Sequence, residues 1–165
     1  MTERSVTHAT FVIERTYNAE PTRVFNAFAD PAAKARWFAG PDDWQTLGGD
    51  MDFRVGGDEI HRTRQPGGPV HTYRARYQDI VTNERIITTY EMYMDQVRSS
   101  VSVATVELEP AGDGTNLRYT EQGAFLDGSD SLASREQGSR DLLEALAAAL
   151  EAETAAVGHA GSRTT

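Results

Sequence analysis

The stretch "AEPTRVFNAFADPAAKARWF", Ala19 to Phe38, decides how this chain is assembled. Pro21 suits a first helical turn, where its missing N–H is not needed, and Val24, Phe25 and Phe28 recur at helical spacing. Pro31 halts that helix by disfavouring helical backbone in the residue before it. "PAAKARWF" then predicts a second short helix ending at Trp37-Phe38. Upstream, "HATFVIERTYNA" alternates, with Phe11 and Ile13 on one face and Val12 and Glu14 on the other, and reads as a strand.

Downstream, "AGPDDWQTLGGD" reads as a loop with Trp44 inside it. Short alternating runs broken by turn residues follow. "MDFRV" closes at Gly56-Gly57, and "EIHRTRQ" at the "PGGP" of residues 66–69. "VHTYRARYQDIV" ends near Thr82-Asn83, "RIITTYEMYM" near Asp95-Gln96 and "SSVSVATVELE" at "PAGDGTN", while "LRYTEQGAF" is the last strand. From about Ser129 the period turns helical. Leu132, Leu142, Leu143, Leu146 and Leu150 mark an apolar stripe through an Ala-rich helix to about Ala156. Residues 1–7 and 157–165 read as flexible tails around one domain, 8–156.

The order predicts an α+β fold. A curved antiparallel sheet of six to seven strands wraps one long C-terminal helix, with two short helices between the first two strands. A sheet closed by a single helix commonly encloses a cavity.

The bulk numbers narrow the function classes. A chain of 165 residues fits one domain, and 39% hydrophobic with 25% charged residues is a globular composition. The net charge of −9 speaks against nucleic-acid binding, whose footprint is a basic face. With no cysteine there are no disulfides, thiolate metal sites or cysteine nucleophiles. "MTERSVTHAT" lacks an apolar segment, so no secretory signal is expected. No apolar run approaches the roughly 20 residues of a membrane span. The expectation is a cytoplasmic protein.

"TYNAEPTRVFNAFADPAAKARWFAGPDDW" followed by "DFRVGGD" resembles the opening of the SRPBCC superfamily, the START or birch-pollen-allergen helix-grip fold. More narrowly, it resembles the branch named after the C-terminal domain of the activator of the ninety-kilodalton heat-shock protein ATPase. "YQDIVTNERIITTYE", "GDGTNLRYTEQGAF" and the closing helix are similar to that branch too, so the resemblance spans about residues 8–156. It implies a sheet gripping the C-terminal helix with a hydrophobic cavity between them. It implies no single activity, because the superfamily includes lipid carriers, flavonoid and polyketide binders and cyclases. The eponymous activators carry a separate N-terminal domain, so co-chaperone activity is not expected here. Members of this size are monomers or homodimers.

Candidate ligand-binding residues follow from side-chain type and strand parity. Trp37, Phe38, Trp44, Phe53, Tyr73, Tyr77, Tyr90, Met92, Met94, Tyr119 and Phe125 lie on alternating strand positions or at the short-helix end. With Leu142 and Leu146 from the helix, they would line a pocket for a flat apolar molecule, tyrosine hydroxyls supplying the polar contacts. The bland alternative is that they fill the core. In "NLRYTEQGAF", Leu117, Tyr119 and Glu121 share one face, which turns a carboxylate inward. Glu121 then orients a ligand, serves as an acid–base group, or pairs with an arginine or tyrosine at the cavity mouth.

If "PGGP" centres its hairpin, His61 pairs with Tyr73, and His61, His71, Tyr73 and Tyr77 share a face. The other face carries Arg62, Arg64, Arg74 and Arg76, which reads as a solvated row. His61 and His71 lack a third ligand for zinc. Gly56-Gly57-Asp58 is a turn, not a phosphate loop, and Ser99, Ser100 and Ser102 have no nucleophile-elbow pattern. Gly138 either lets the long helix approach the sheet or is simply tolerated. No metal, cofactor or catalytic residue is assigned. The leading expectation is a protein binding a hydrophobic small molecule, a lipid, flavonoid or polyketide-like compound. The alternatives are a cyclase-like enzyme using Tyr, His and Glu in the same cavity, or a chaperone-linked or regulatory interaction module.

Overall fold

Pro21 and Pro31 each open a helix, α1 over Pro21–Ala29 and α2 over Pro31–Lys34. Asp30 ends the first and caps the second, its carboxylate accepting from the Ala33 N–H at 2.9 Å. Regular helix stops at Lys34, short of the expected Trp37-Phe38. There the Arg36 and Trp37 N–H groups bond to carbonyls three residues back, which tightens the turn.

The computed structural model of the chain describes residues 3–161. Seven strands form one antiparallel sheet: β1 (Val6–Tyr17), β2 (Gln45–Met51), β3 (Asp58–Arg64), β4 (Val70–Val81), β5 (Arg85–Met94), β6 (Val97–Ala111) and β7 (Gly114–Leu126). The spatial order is β1-β7-β6-β5-β4-β3-β2. Helices α1 and α2 carry the chain from one edge to the other, and hairpins then bring it back until β7 pairs with β1. The long helix α3 (Leu132–Gly161) follows and completes the α+β helix-grip architecture. Of the expected tails, residues 1, 2 and 162–165 lie outside the described residues; β1 already begins at Val6 and α3 continues to Gly161.

Strand β2 is the element that the sequence pattern misplaced. It occupies "QTLGGDM", of which all but Met51 reads as loop, and the "DFRV" of the expected strand "MDFRV" is the loop. As an edge strand it is exposed along almost its whole length, so it shows no apolar alternation. Its register with β3 depends on close backbone approach: a side chain at Gly49 would run into the Ile60 carbonyl oxygen. The other hairpins follow the turn residues. Asn83 (φ 65°) and Asp95 (φ 52°) take the left-handed conformation that short polar side chains tolerate. His61 does pair with Tyr73.

The main core lies between the concave face, α1 and the middle of α3. It joins Phe11, Ile13, Val24, Phe25, Phe28 and Leu117 to Leu143, Leu146 and Leu150. Polar ties fix the helix there. The Tyr17 hydroxyl donates to the Leu143 carbonyl at 2.9 Å, and Arg23 to the Leu150 carbonyl at 2.9 Å.

Two substitutions in α3 should move stability in opposite directions. Leu146 has no exposed surface, so Leu146→Ala should lower unfolding free energy by about 2–5 kcal/mol. Gly138 is exposed and a Cβ there meets nothing within 4 Å, so it does not serve close packing. Gly138→Ala should raise stability by about 0.5–1 kcal/mol. Urea midpoints of the two variants check both expectations.

Candidate functional site

Alternation along the strands brings Tyr73 and Tyr77 of β4, Tyr90 and Met92 of β5, and Tyr119 and Glu121 of β7 to the concave face. Tyr73 and Tyr119 lie so deep that burial, reinforced by neighbouring negative groups, pushes both phenols well above the usual tyrosine range. Both nevertheless keep accessible surface. Met92 and Tyr119 join Tyr73 around Tyr90 and Ala104. Phe38 stands edge-on to Tyr73, ring centroids 5.0 Å apart, and packs against His61 at 5.4 Å. Phe38, His61 and Met92 are themselves half-buried.

On one flank Glu121 is completely buried. One oxygen accepts from the Tyr119 hydroxyl at 2.6 Å and the Tyr90 hydroxyl at 2.7 Å. The other accepts from Ser102 and from the Arg135 guanidinium, both at 3.3 Å. Arg135 reaches down from α3 and also donates to Tyr90 at 3.0 Å, Ser100 at 2.7 Å and Asp130 at 2.6 Å. Its guanidinium lies 5.3 Å from the Phe125 ring centroid. Burial opposes its charge, yet Tyr90, Glu121 and Asp130 together hold its pKa above the ordinary arginine value.

The opposite flank repeats the device with different residues. Buried Lys34 of α2 donates to buried Glu59 of β3 at 2.6 Å, and the Tyr77 hydroxyl donates to the same carboxylate oxygen. The ammonium sits 4.4 Å from the Phe38 ring centroid. Burial lowers the Lys34 pKa, with Glu59 opposing the shift. Tyr73 spans the gap between the two charged clusters, its ring 4.9 Å from that of Tyr90.

The remaining predicted residues divide by depth. Trp37, Tyr77, Tyr90, Phe125 and Leu146 are buried, Trp37 donating its indole N–H to the Ala27 carbonyl at 3.0 Å. Trp44, Phe53 and Leu142 are half-buried; Trp44 covers His71, and Phe53 stands edge-on to Tyr77. Glu121 has no surface of its own, so a molecule on the concave face could meet it only through the hydroxyls it holds. The row Arg62, Arg64, Arg74 and Arg76 is exposed. Among the described residues no three His, Cys, Asp or Glu side chains gather as a metal site. Two concavities open on the outer face of the sheet, one between His8, Thr10, Val101, Val103, Gln122 and Ala124, the other between Glu14, Glu107, Asn116 and Arg118.

Sequence reading missed Lys34, Glu59 and Arg135. Glu59 shares strand parity with His61, and Arg135 falls three residues after Leu132 and seven before Leu142, inside the apolar stripe. A charge embedded in an apolar period was the available signal.

Two expectations follow. Lys34→Met strips the cation from buried Glu59, which should cost about 3–5 kcal/mol in denaturant unfolding. Burial also lowers the pKa of His61 and His71 below 6.5, and the Nε2 atom of each is buried without a partner. The unfolded chain therefore takes up protons first. The stability they contribute is complete above about pH 6.5 and lost as pH falls through the lowered folded values. Melting temperature should decline from pH 7.5 towards pH 5.5, and His61→Gln with His71→Gln should flatten that decline.

Comparison with known proteins agrees with this architecture. Among solved structures, protein Mll3558 from Rhizobium loti is 52% identical, covers 88% of this chain and 99% of its own, and superposes with a TM-score of 0.81. A putative uncharacterized protein from Rhizobium leguminosarum is 45% identical, with 91% and 99% covered and a TM-score of 0.87. The AHSA1-like protein from Aeromonas hydrophila, at 22% identity, 88% and 94% coverage and a TM-score of 0.66, shares the fold. None of the curated proteins matches the chain. The family model described as "Activator of Hsp90 ATPase homolog 1-like protein" matches residues 18–151. The chain therefore belongs to the Activator of Hsp90 ATPase homolog 1-like family, the branch of the SRPBCC superfamily to which its sequence motifs point.

Proposed function

We propose that this protein binds a hydrophobic small molecule in the cleft between the concave sheet face and α3. The observation that supports this is a patch of the concave face on which Tyr73 and Tyr119, packed around Tyr90, both keep accessible surface. Phe38, His61 and Met92 supply the apolar and aromatic walls. Lipids, flavonoids and polyketide-like compounds are the candidate classes. We place the protein in the cytoplasm, as a monomer or homodimer, in keeping with the absence of any described helix long and apolar enough to cross a membrane.

A panel of aromatic and lipid compounds tests this by thermal shift and tryptophan fluorescence. A ligand at about a hundred times its Kd adds about 2.7 kcal/mol, which for a chain of this size corresponds to a rise of roughly 5–10 °C in Tm. Unchanged Tm and fluorescence across the panel would sink the proposal.

A second reading, an acid–base enzyme of cyclase type, draws on Glu121 lying within hydrogen-bond reach of two phenols. In it Tyr119 touches the substrate and Glu121 positions that hydroxyl. For any compound found to be turned over, Tyr119→Phe should lower kcat by about 100-fold or more, whereas Tyr93→Phe should leave it unchanged.

A further inference from the structure

The six tyrosines of the chain are not equivalent. Tyr17 donates to the Leu143 carbonyl, Tyr77 to Glu59, Tyr90 and Tyr119 to Glu121, and Tyr93 to Glu91. Among the described residues the Tyr73 hydroxyl has no protein partner, and its oxygen is not among the buried unpartnered atoms. It therefore opens onto the cleft. Rings on either side frame it, Phe38 at 5.0 Å and Tyr90 at 4.9 Å.

The charges around it define what it can meet. Burial, then Glu59, Tyr77, Tyr90 and Glu121, all favour the neutral phenol, which keeps Tyr73 a hydrogen-bond donor. The two cations nearest the cleft are both engaged: Lys34 by Glu59, and Arg135 by Glu121 and Asp130. Three carboxylates thus face two cations, and no cation is left over for an incoming anion. An anionic ligand would enter low-dielectric space without a counter-charge, at considerable desolvation cost.

Building on the cleft reading above, we propose that Tyr73 donates its hydroxyl hydrogen bond to an acceptor oxygen on an uncharged, flat ligand. The cleft thereby selects ketone- or quinone-type aromatic compounds and rejects carboxylates, free fatty acids included. Of the candidate classes, this favours neutral polyketide- and flavonoid-like molecules over ionised lipids.

Three naphthalenes of matched size test the idea at pH 7.5: 2-acetylnaphthalene, 2-naphthoate and 2-ethylnaphthalene, titrated by tryptophan quenching or calorimetry. The ketone should bind at least about 10-fold more tightly than the acid. Tyr73→Phe should weaken the ketone by about 2- to 10-fold and leave 2-ethylnaphthalene unchanged, because only the ketone uses the hydroxyl. The variant's Tm should match wild type, since the hydroxyl makes no bond within the protein. Equal binding of acid and ketone overturns the selectivity while preserving the cleft. An equal loss for ketone and hydrocarbon, or a lowered Tm, overturns the donor role of Tyr73. If none of the three binds, the cleft reading falls and takes this inference with it.

Discussion

Everything in the concave half of the molecule depends on burying Glu121 without isolating its charge. A lone carboxylate taken out of water is costly by several kcal/mol. Here it is surrounded by Tyr90, Tyr119, Ser102 and Arg135, so its oxygens are satisfied from three strands and one helix. Because Arg135 belongs to α3, that satisfaction also docks the N-terminal part of the helix, whose other first-turn residues are exposed. Apolar packing of Leu143, Leu146 and Leu150 holds the middle of the helix. The helix is thus fastened by charge near its start and by grease at its centre.

The Lys34–Glu59–Tyr77 cluster solves the same problem for α2. A helix of one turn has negligible intrinsic stability, and α2 is held by its cap at Asp30 and its buried ammonium. The two ionic clusters leave a strip between them, and Tyr73 lies on it. The proposed cleft would then have walls already tied by paired charges, and such preorganisation lowers the ordering cost of binding.

Much of the fold was legible in the sequence, and the reasons are local. Pro21 and Pro31 mark the helices, and "PGGP", Asn83 and Asp95 mark the hairpins. β4 and β5 carry enough alternation that their limits can be read off directly. β2 could not be read because an exposed edge strand with two glycines has no apolar period and Thr46 as its one β-branched residue. The site was legible in part. Parity placed Glu121 inward and paired His61 with Tyr73. A tyrosine or arginine partner was expected for Glu121, but Arg135 itself was hidden, because it lies in a helix whose distance from β7 only the closed sheet determines.

Glu121 is a holder rather than an actor. A carboxylate engaged by two phenols, a serine and a guanidinium has little freedom to exchange protons with a ligand it cannot touch. Its effect is exerted on the phenols, which it orients and, with burial, keeps neutral. A neutral phenol fixed in position is a good hydrogen-bond donor and a poor base. Tyr90 and Tyr119 each give their single O–H to Glu121, so among the described residues Tyr73 is the phenol of the concave face left free to donate to an oxygen acceptor on the proposed ligand. Chemistry on such a ligand would require one of those hydroxyls to release its proton, and the surrounding carboxylates oppose that step. The same electrostatics that shape recognition therefore weigh against base catalysis from these tyrosines.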